Sequence, residues 1–297
     1  VLFRSSGMTE MVVDDEFIER LYKNEELFLE DDKANKLHPN QFITLVSNKN
    51  VNKTALARFF TKDQPLRRSG EFKGRHKVFG VESRNREQSF AMDLLMDPTI
   101  PIVTLVGKAG SGKTLSAIAA GLAQLLEKGT YTRLIVSRPV QPLGRDIGFL
   151  PGTLEEKMMP WLTPIQDNLQ FLLGNDKAML EEYMSRGQIE IEALTYIRGR
   201  SIAKAFMVID EAQNLSAHEL KTIFFCFRED TKIVLTGDIE QIDNVYVNDT
   251  SNGLAYAVEK FKSAQLAGHV SLQKGERSAV ATLADRKSTR LNSSHRT

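Results

Sequence analysis

The chain has 297 residues, of which 41% are hydrophobic and 26% are charged; these fractions are ordinary for a soluble globular protein with one large domain or two. The net charge of +1 at pH 7 excludes a general attraction of the whole molecule to nucleic acid, so any such surface has to be local. The single cysteine, Cys226, excludes an internal disulfide, and no apolar run has the length of a membrane span, so we expect a cytoplasmic protein without a membrane partner.

Both ends of the chain resemble translations of a sequencing adaptor. We therefore expect residues 1–5 and 285–297 to be non-native tails that carry no information about the fold. The segment that follows the first tail is acidic, with Asp14-Asp15-Glu16 as its first cluster. We expect this acidic segment, residues 6–35, to form a short helix and a linker.

Residues 36–77 have the pattern of a small β-rich module. Two strand-like runs, at residues 41–46 and 55–59, are separated by polar turn residues at 47–50. Residues 53–77 contain eight Lys and Arg residues and two acids. This charge excess predicts either a solvated linker or a local contact to nucleic acid.

From residue 78 onward, helical and strand patterns alternate. An amphipathic helix predicted at residues 85–96 precedes the first of six short apolar runs that have the length of buried strands. These runs cover residues 100–106, 134–136, 189–194, 206–209, 233–235 and 269–272. The alternation predicts an α/β domain with a doubly wound, mainly parallel sheet over residues 78–284.

A glycine-rich segment directly follows the first of these strands and opens an alanine- and leucine-rich helix. Such a loop lets backbone N–H groups turn inward around a phosphate, and the helix N-terminus adds its positive dipole end. In this pattern the lysine reaches the β- and γ-phosphates, and the hydroxyl after it binds Mg²⁺. The alternative is a glycine-rich helix start that binds no ligand. We predict a P-loop NTPase fold with a nucleotide-binding loop made of Gly107, Lys108, Ala109, Gly110, Ser111, Gly112, Lys113 and Thr114.

Two acids, Asp210 and Glu211, directly follow the apolar strand at residues 206–209. Acids at the end of a buried strand cost free energy unless they have a role there, and ligands of parallel sheets bind at the carboxyl ends of the strands. We predict that Asp210 holds Mg²⁺, directly or through water, and that Glu211 is the general base that activates water. The alternative is a pair of acids that caps a helix N-terminus.

Polar residues also follow other strands. Gln241 lies beyond the strand at residues 233–235, where it could sense the γ-phosphate; the alternative is a polar turn. Arg277 follows the last strand, and we predict that it stabilises charge in the transition state. Three further arginines are predicted either to contact a nucleic-acid backbone or to form surface ion pairs: Arg138, Arg198 and Arg200.

Residues 79–284 closely resemble the PhoH family of P-loop ATPases. The resemblance covers nearly the whole α/β domain. It includes the P-loop with its strand, Val136-Ser137-Arg138-Pro139, Tyr196-Ile197-Arg198-Gly199-Arg200, Asp210-Glu211-Ala212-Gln213-Asn214 and Gly237-Asp238-Ile239-Glu240-Gln241. It implies an ATPase core similar to the first RecA-like domain of superfamily 1 helicases. On that analogy Gln88 reads adenine with its amide and favours ATP over GTP.

The resemblance also implies partners. Residues 36–77 resemble the small β module of longer PhoH proteins, which carry an N-terminal PIN domain with an RNase fold, and the acidic segment resembles the linker after that domain. A parent protein of this kind couples ATP hydrolysis to unwinding and cleavage of RNA, so single-stranded RNA is the expected partner. The chain has one RecA-like core where superfamily 1 helicases have two. A neighbouring subunit or the chain's own tail therefore has to supply the closing arginine, and we expect a homo-oligomer such as a ring.

Together these patterns predict an ATP- and Mg²⁺-dependent phosphohydrolase whose cycle drives movement on RNA. Its predicted catalytic residues are Lys113, Glu211, Gln241 and Arg277. Two alternatives remain: a nucleotide-gated RNA-binding scaffold with little turnover, and a small-molecule kinase. An inert scaffold needs no general base, whereas a kinase needs a lid, which the segment at residues 139–164 with its three glycines could supply.

Overall fold

The structure of the chain is a computed structural model that describes residues 6–69, 77–139 and 154–274. Within these ranges the chain forms a small four-stranded sheet and a larger six-stranded sheet. Helices pack against both sheets. In the described part of the chain, no helix is both long enough and apolar enough to cross a membrane.

The smaller sheet is mixed. β1 (Met8–Val13) pairs in parallel with β2 (Gln41–Ser47), and β2 pairs antiparallel with β3 (Thr54–Phe59). The short strand β4 (Arg67–Arg68) pairs antiparallel with β3. The predicted small β-rich module is thus confirmed. The acidic segment, predicted as a short helix and a linker, contributes β1 to the same sheet.

Two helices of the acidic segment, α1 (Asp15–Tyr22) and α2 (Asp31–Ala34), accompany this sheet. Side chains alternate along a strand, so Ile43 and Leu45 of β2 share one face, where they pack with Ile18 of α1 in an apolar cluster. The residues between them point to the opposite face. That second face turns toward the larger sheet and its helices.

The larger sheet is entirely parallel and confirms the predicted doubly wound α/β fold. Its strands are β5 (Ile102–Gly107), β6 (Arg133–Arg138), β7 (Ile189–Ala193), β8 (Ala205–Ile209), β9 (Lys232–Gly237) and β10 (Ala267–Leu272). Their order across the sheet is β10-β5-β9-β8-β6-β7, so the chain enters inside the sheet and extends it to both edges. All six predicted apolar runs form strands of this sheet.

Helices cover both faces of the larger sheet: α3 (Arg86–Met96), α4 (Lys113–Leu122), α5 (Leu154–Leu172), α6 (Lys177–Ser185), α7 (Ala217–Phe224) and α8 (Gly253–Phe261). Strand alternation divides the core into two layers. Phe206 and Val208 of β8 pack with α3 to α6, whereas Met207 and Ile209 pack with α7 and α8. Strands buried on both faces are continuous apolar runs, which is why they could be recognised in the sequence.

The two sheets are joined through α3. The ring of Phe42 in β2 stacks on that of Phe90 in α3, with the centroids 4.3 Å apart. Arg58 of β3 is fully buried and forms ion pairs with Asp93 of α3 (3.5 Å) and with Asp97 (2.8 Å), the residue that directly follows α3. A buried charge is tolerated only when it is paired, so these contacts define how the small sheet sits on α3.

The strand order decides which loops meet. β5, β9 and β8 are neighbours in that order, and β6 lies beside β8. In a parallel sheet the carboxyl ends of neighbouring strands meet at one edge. The glycine loop after β5, the end of β9 and the two acids after β8 therefore lie together.

Candidate functional site

A glycine-rich loop connects β5 to α4 at this edge. Gly110 and Gly112 have φ angles of 78° and 86°, which glycine adopts without the strain that a Cβ would cause. The helix begins at Lys113, whose ammonium group donates hydrogen bonds to the carbonyl oxygens of Gly107 (2.5 Å) and Lys108 (2.9 Å). The positive charge of Lys113 is therefore held against the loop.

Asp210 links the first turn of α4 to the end of β9. Its Oδ1 atom accepts hydrogen bonds from the hydroxyl groups of Thr114 (2.7 Å) and Thr236 (2.6 Å). Its backbone N–H donates to the carbonyl oxygen of Ser137 in β6 at 2.9 Å. The structure thus places Thr114 and Asp210, the two predicted metal ligands, in direct contact.

Glu211 has an uncommon backbone conformation, with φ 54° and ψ 38°. A residue with a side chain costs free energy in this left-handed region, and such residues concentrate at functional sites. One carboxylate oxygen of Glu211 lies 3.4 Å from the guanidinium of Arg138, and the other accepts a hydrogen bond from the Gln213 amide at 2.5 Å. The carboxylate is therefore held from two sides.

The surroundings of Glu211 favour its protonated form. Burial raises the pKa of its carboxyl group, and the neighbouring charge of Asp210 raises it further. The hydrogen bond from Gln213 and the charges of Arg138 and Lys113 lower this pKa, but the net result is a pKa above the ordinary glutamate value. A carboxylate with a raised pKa accepts a proton more readily, which suits a general base.

Gln213 connects the ends of β8 and β9, a role that the sequence analysis did not assign. This side chain is fully buried. Its amide oxygen accepts the N–H of Asp238 (3.1 Å), and its amide nitrogen donates to Glu211 and to the carbonyl oxygen of Gln241 (2.9 Å). The only signal in the sequence was its place in the matched segment at residues 210–214.

The turn after β9 is tied to the glycine loop. Asp238 accepts the N–H of Ala109 at 3.1 Å, and Glu240 forms an ion pair with Lys108 at 3.4 Å. Gln241 contacts the site through its backbone, because its carbonyl oxygen accepts a hydrogen bond from the side-chain amide of Gln213. The side chain of Gln241 is exposed. The predicted contact of the Gln241 side chain with a phosphate stays a prediction.

Gln88, on the first turn of α3, lines a cleft of about 530 Å³ beside the glycine loop. Residues of the segment 77–84 also line this cleft. The amide oxygen of Gln88 accepts the N–H of Arg84 (2.8 Å), and its amide nitrogen donates to the carbonyl oxygen of Ser111 (3.1 Å). In this structure Gln88 thus fixes the glycine loop relative to the wall of the cleft, in addition to its expected role with adenine.

The glycine loop fits a phosphate group. The hydroxyl oxygen of Ser111 is buried and has no hydrogen-bond partner among the described residues, a costly state unless a ligand supplies one. A Cβ on Gly112 would come within 3.2 Å of the Gln88 amide, so glycine keeps this space open. Thr114 and Asp210 would hold a divalent cation beside that phosphate, since Mg²⁺ prefers oxygen ligands.

Two of the arginines predicted for nucleic acid are held in ion pairs within the chain. Arg198 pairs with Glu219 at 3.1 Å. Arg200 pairs with both Glu190 (2.7 Å) and Glu192 (2.5 Å) of β7. For these two residues the geometry favours the alternative that the sequence left open, a structural ion pair.

The third arginine, Arg138, ends β6 inside the site, next to Glu211. It contacts a candidate catalytic group rather than an open surface. Arg277 lies outside the described residues, as do the three glycines of the predicted lid, Gly144, Gly148 and Gly152.

Comparison with known proteins gives one family. A family model described as PhoH-like protein matches residues 80–283. The PhoH2 protein of Bacillus subtilis (strain 168) is 44% identical over 281 residues, and that of Mycolicibacterium smegmatis is 38% identical over 279 residues. Both alignments cover 94% of this chain but only 63% and 61% of the relatives, so the chain spans less than two thirds of their length.

Two solved structures show a more distant likeness. The SWI2/SNF2 ATPase core of Sulfolobus solfataricus in complex with double-stranded DNA aligns over 66% of this chain and 46% of its own, with a TM-score of 0.39 and 14% identity. The Pif1 helicase of Candida albicans aligns over 65% of this chain and 40% of its own, with a TM-score of 0.32 and 13% identity.

Proposed function

The chain belongs to the PhoH-like protein family, and we propose that it is an ATPase that binds ATP with Mg²⁺ and hydrolyses it. One observation carries the proposal. A glycine loop with a lysine, a hydroxyl–carboxylate pair and a carboxylate with a raised pKa meet at one edge of a parallel sheet. These groups suit the transfer of a phosphoryl group to water, because that reaction depends on positioning the water and the phosphate and on neutralising the charge of the phosphate.

In the proposed complex, the loop N–H groups and the ammonium of Lys113 bind the phosphates, and the positive end of α4 strengthens their attraction. Adenine enters the cleft lined by Gln88. Thr114 and Asp210 would hold Mg²⁺, which when bound neutralises charge on the β- and γ-phosphates. The attacking water would lie beside Glu211, directly after β8.

Glu211 is the proposed general base. It accepts a proton from the water whose oxygen attacks the γ-phosphorus, and the leaving ADP oxygen keeps the electron pair of the broken bond. Gln213 is a positioning residue, since it orients the Glu211 carboxylate through a hydrogen bond. Gln241 and Arg277 are proposed contacts of the γ-phosphate, Arg277 from the chain's own tail or from a neighbouring subunit.

We also propose coupling to single-stranded RNA and assembly into a homo-oligomer, both of which follow from the family resemblance. An ATPase site whose γ-phosphate is contacted by an arginine from a neighbouring subunit requires assembly with copies of the same chain. The greater length of the PhoH2 relatives is in keeping with a parent protein that also contains a PIN domain. Sedimentation velocity with and without ATP tests the assembly: a monomer under both conditions contradicts it.

Phosphate release from ATP tests the ATPase. We expect Mg²⁺-dependent turnover that Lys113→Ala and Glu211→Gln each reduce by about 100-fold or more, because each removes a group that acts on the transition state. Glu229→Gln, which changes an exposed carboxylate in the turn before β9, is the matched control. If both site variants keep the unaltered turnover, the assigned roles are wrong. ATP binding in equilibrium dialysis without phosphate release would support the scaffold, and transfer to an added acceptor would support a kinase.

A further inference from the structure

The small sheet turns one face toward α3, and α3 covers only part of it. In the covered row, Met8, Phe42 and Arg58 lie side by side on β1, β2 and β3 and pack against α3 and its neighbours. Side chains an even number of residues away on these strands share this face, after Met8 and Phe42 on β1 and β2 and before Arg58 on the antiparallel β3. Five of these side chains line an open cleft of about 650 Å³, to which residues at the sheet edge also contribute. The five are Glu10, Thr44, Val46, Thr54 and Leu56.

The lining of this cleft combines apolar side chains with hydroxyl groups, and an aromatic ring stands at its edge. Tyr22 of α1 is 54% exposed. Its hydroxyl donates a hydrogen bond to the carbonyl oxygen of Thr54 at 3.1 Å, which fixes the ring beside the sheet. A fixed, exposed ring next to an open sheet face is an arrangement on which unpaired bases stack.

Two arginines border the same cleft. The guanidinium of Arg68 lies 5.7 Å from the centroid of the Tyr22 ring, and Arg86 lines the wall formed by α3. Among the described residues neither of them forms an ion pair, in contrast to Arg198 and Arg200. Guanidinium groups that are not neutralised by carboxylates are available to phosphate.

The position of Arg86 adds a second argument. It is the first residue of α3, where the helix dipole disfavours a cation and favours an anion. A phosphate bound at this point would satisfy both the arginine and the helix terminus. The acidic residue of the lining, Glu10, is exposed on β1, across the cleft from the edge that carries Tyr22.

The cleft adjoins the nucleotide site through the same helix. Arg86 lines the sheet cleft, and Gln88, two residues later, lines the cleft beside the glycine loop. Gln88 also donates a hydrogen bond to Ser111 of that loop. A ligand bound at Arg86 would therefore contact the turn of helix that positions the glycine loop.

We propose that this cleft binds single-stranded nucleic acid, with a base stacked on Tyr22 and phosphates held by Arg68 and Arg86. The inference deepens the proposed function and rests on it, since it locates the nucleic-acid partner of the ATPase on the small sheet. This surface differs from the one predicted from sequence at Arg138, Arg198 and Arg200, and its two arginines have no carboxylate partner in the part of the chain that the structure describes.

Fluorescence anisotropy of a labelled 12-nucleotide oligo(U), measured with the full chain over a salt series, tests the proposal. We expect Tyr22→Ala to weaken binding about tenfold and Tyr22→Phe to stay within about twofold, because stacking needs the ring and not the hydroxyl. Arg68→Gln together with Arg86→Gln should reduce the slope of log affinity against log salt by about 1.4, since each phosphate contact contributes about 0.7 in a single strand. Arg198→Gln is the matched control and should bind like the unaltered chain.

An oligo(dT) arm and a duplex RNA arm accompany the measurement, and thermal unfolding confirms that each variant is folded. Binding of either single strand in preference to the duplex supports the proposal. Weaker binding by Arg198→Gln, with no change in the Arg68 and Arg86 double variant, overturns it. So does a chain that hydrolyses ATP but binds neither single strand, and that result leaves the ATPase standing. Strand binding without ATP hydrolysis supports the cleft and overturns the ATPase instead.

Discussion

The guanidinium of Arg58 in the small sheet lies 2.8 Å from the carboxylate of Asp97 at the end of α3, and it is fully shielded from solvent. Burial acts to raise the pKa of Asp97, but the hydrogen bonds from Thr99 and the charge of Arg58 outweigh it and hold this pKa below the ordinary value. The pair is therefore ionised inside the junction of the two sheets. Removal of either Arg58 or Asp97 would leave the other charge without its partner inside the junction.

Arg58→Met should lower the free energy of unfolding by about 3–5 kcal/mol, because it leaves buried acids without their cation. Arg67→Met, which changes the exposed neighbour of Arg58 on the adjacent strand, should change it by less than about 0.5 kcal/mol. Urea denaturation measures both. A loss below about 1 kcal/mol in Arg58→Met would show that the junction does not depend on this pair.

Lys232, at the start of β9, provides a pH-dependent prediction. Its ammonium group donates to the carbonyl oxygens of Leu94 (2.8 Å) and Asp97 (2.7 Å), and burial lowers its pKa to about 7 from 10.5. Between these two values the unfolded chain binds more protons than the folded chain, so the contribution of Lys232 to the free energy of unfolding rises with pH.

The free energy of unfolding of the unaltered chain, minus that of Lys232→Met, should therefore increase as the pH is raised from 7 to 9. Denaturant titrations at several pH values measure it. Groups other than Lys232 titrate in both proteins and cancel in the difference. A difference that stays constant across this range contradicts a lowered pKa.

For Glu211 we expect the opposite pH dependence: its contribution to the free energy of unfolding falls as the pH rises. Its pKa is raised by burial and by Asp210, so the fold disfavours the ionised carboxylate at neutral pH. This cost is present above the folded-state pKa and absent below the ordinary glutamate pKa. We expect Glu211→Gln to be more stable than the unaltered chain at pH 7 to 8, with a gain that vanishes as the pH falls toward 4. Thermal unfolding across this range is the measurement, and Glu240→Gln should show no such gain.

Gln213→Ala tests the positioning role of this amide. Loss of its hydrogen bond should raise the pKa of Glu211 further, because that bond lowers it. We expect kcat at pH 7 to fall about 10- to 100-fold and the acid limb of the pH–rate profile to move to higher pH. In Gln241→Ala the limb should not move, since only the backbone of Gln241 contacts the amide. A fall in kcat with an unmoved limb in Gln213→Ala would indicate a purely structural role.

The parts of the fold that could be predicted have local determinants. The strand before the glycine loop, the glycines and the helix that follows occupy one continuous stretch, so their order alone indicated a phosphate-binding loop. β1 could not be recognised in the same way. Its acidic neighbours suggested a linker, and its parallel partner β2 begins 33 residues later, at Gln41 against Met8. A parallel pair has no turn signal between its strands.

The sequence by itself determined the chemistry that is available: a phosphate-binding loop, two acids at a strand end, and an α/β sheet whose strands are apolar throughout. The tertiary structure decided which partner each polar side chain has. It placed Arg138 at Glu211 and bound Arg200 to two glutamates of β7, and within the described ranges it gave Arg68 and Arg86 no carboxylate partner at the open sheet face. Pairing of side chains depends on which loops the strand order brings to one edge, and residues far apart in the chain meet only once the crossovers between strands are made.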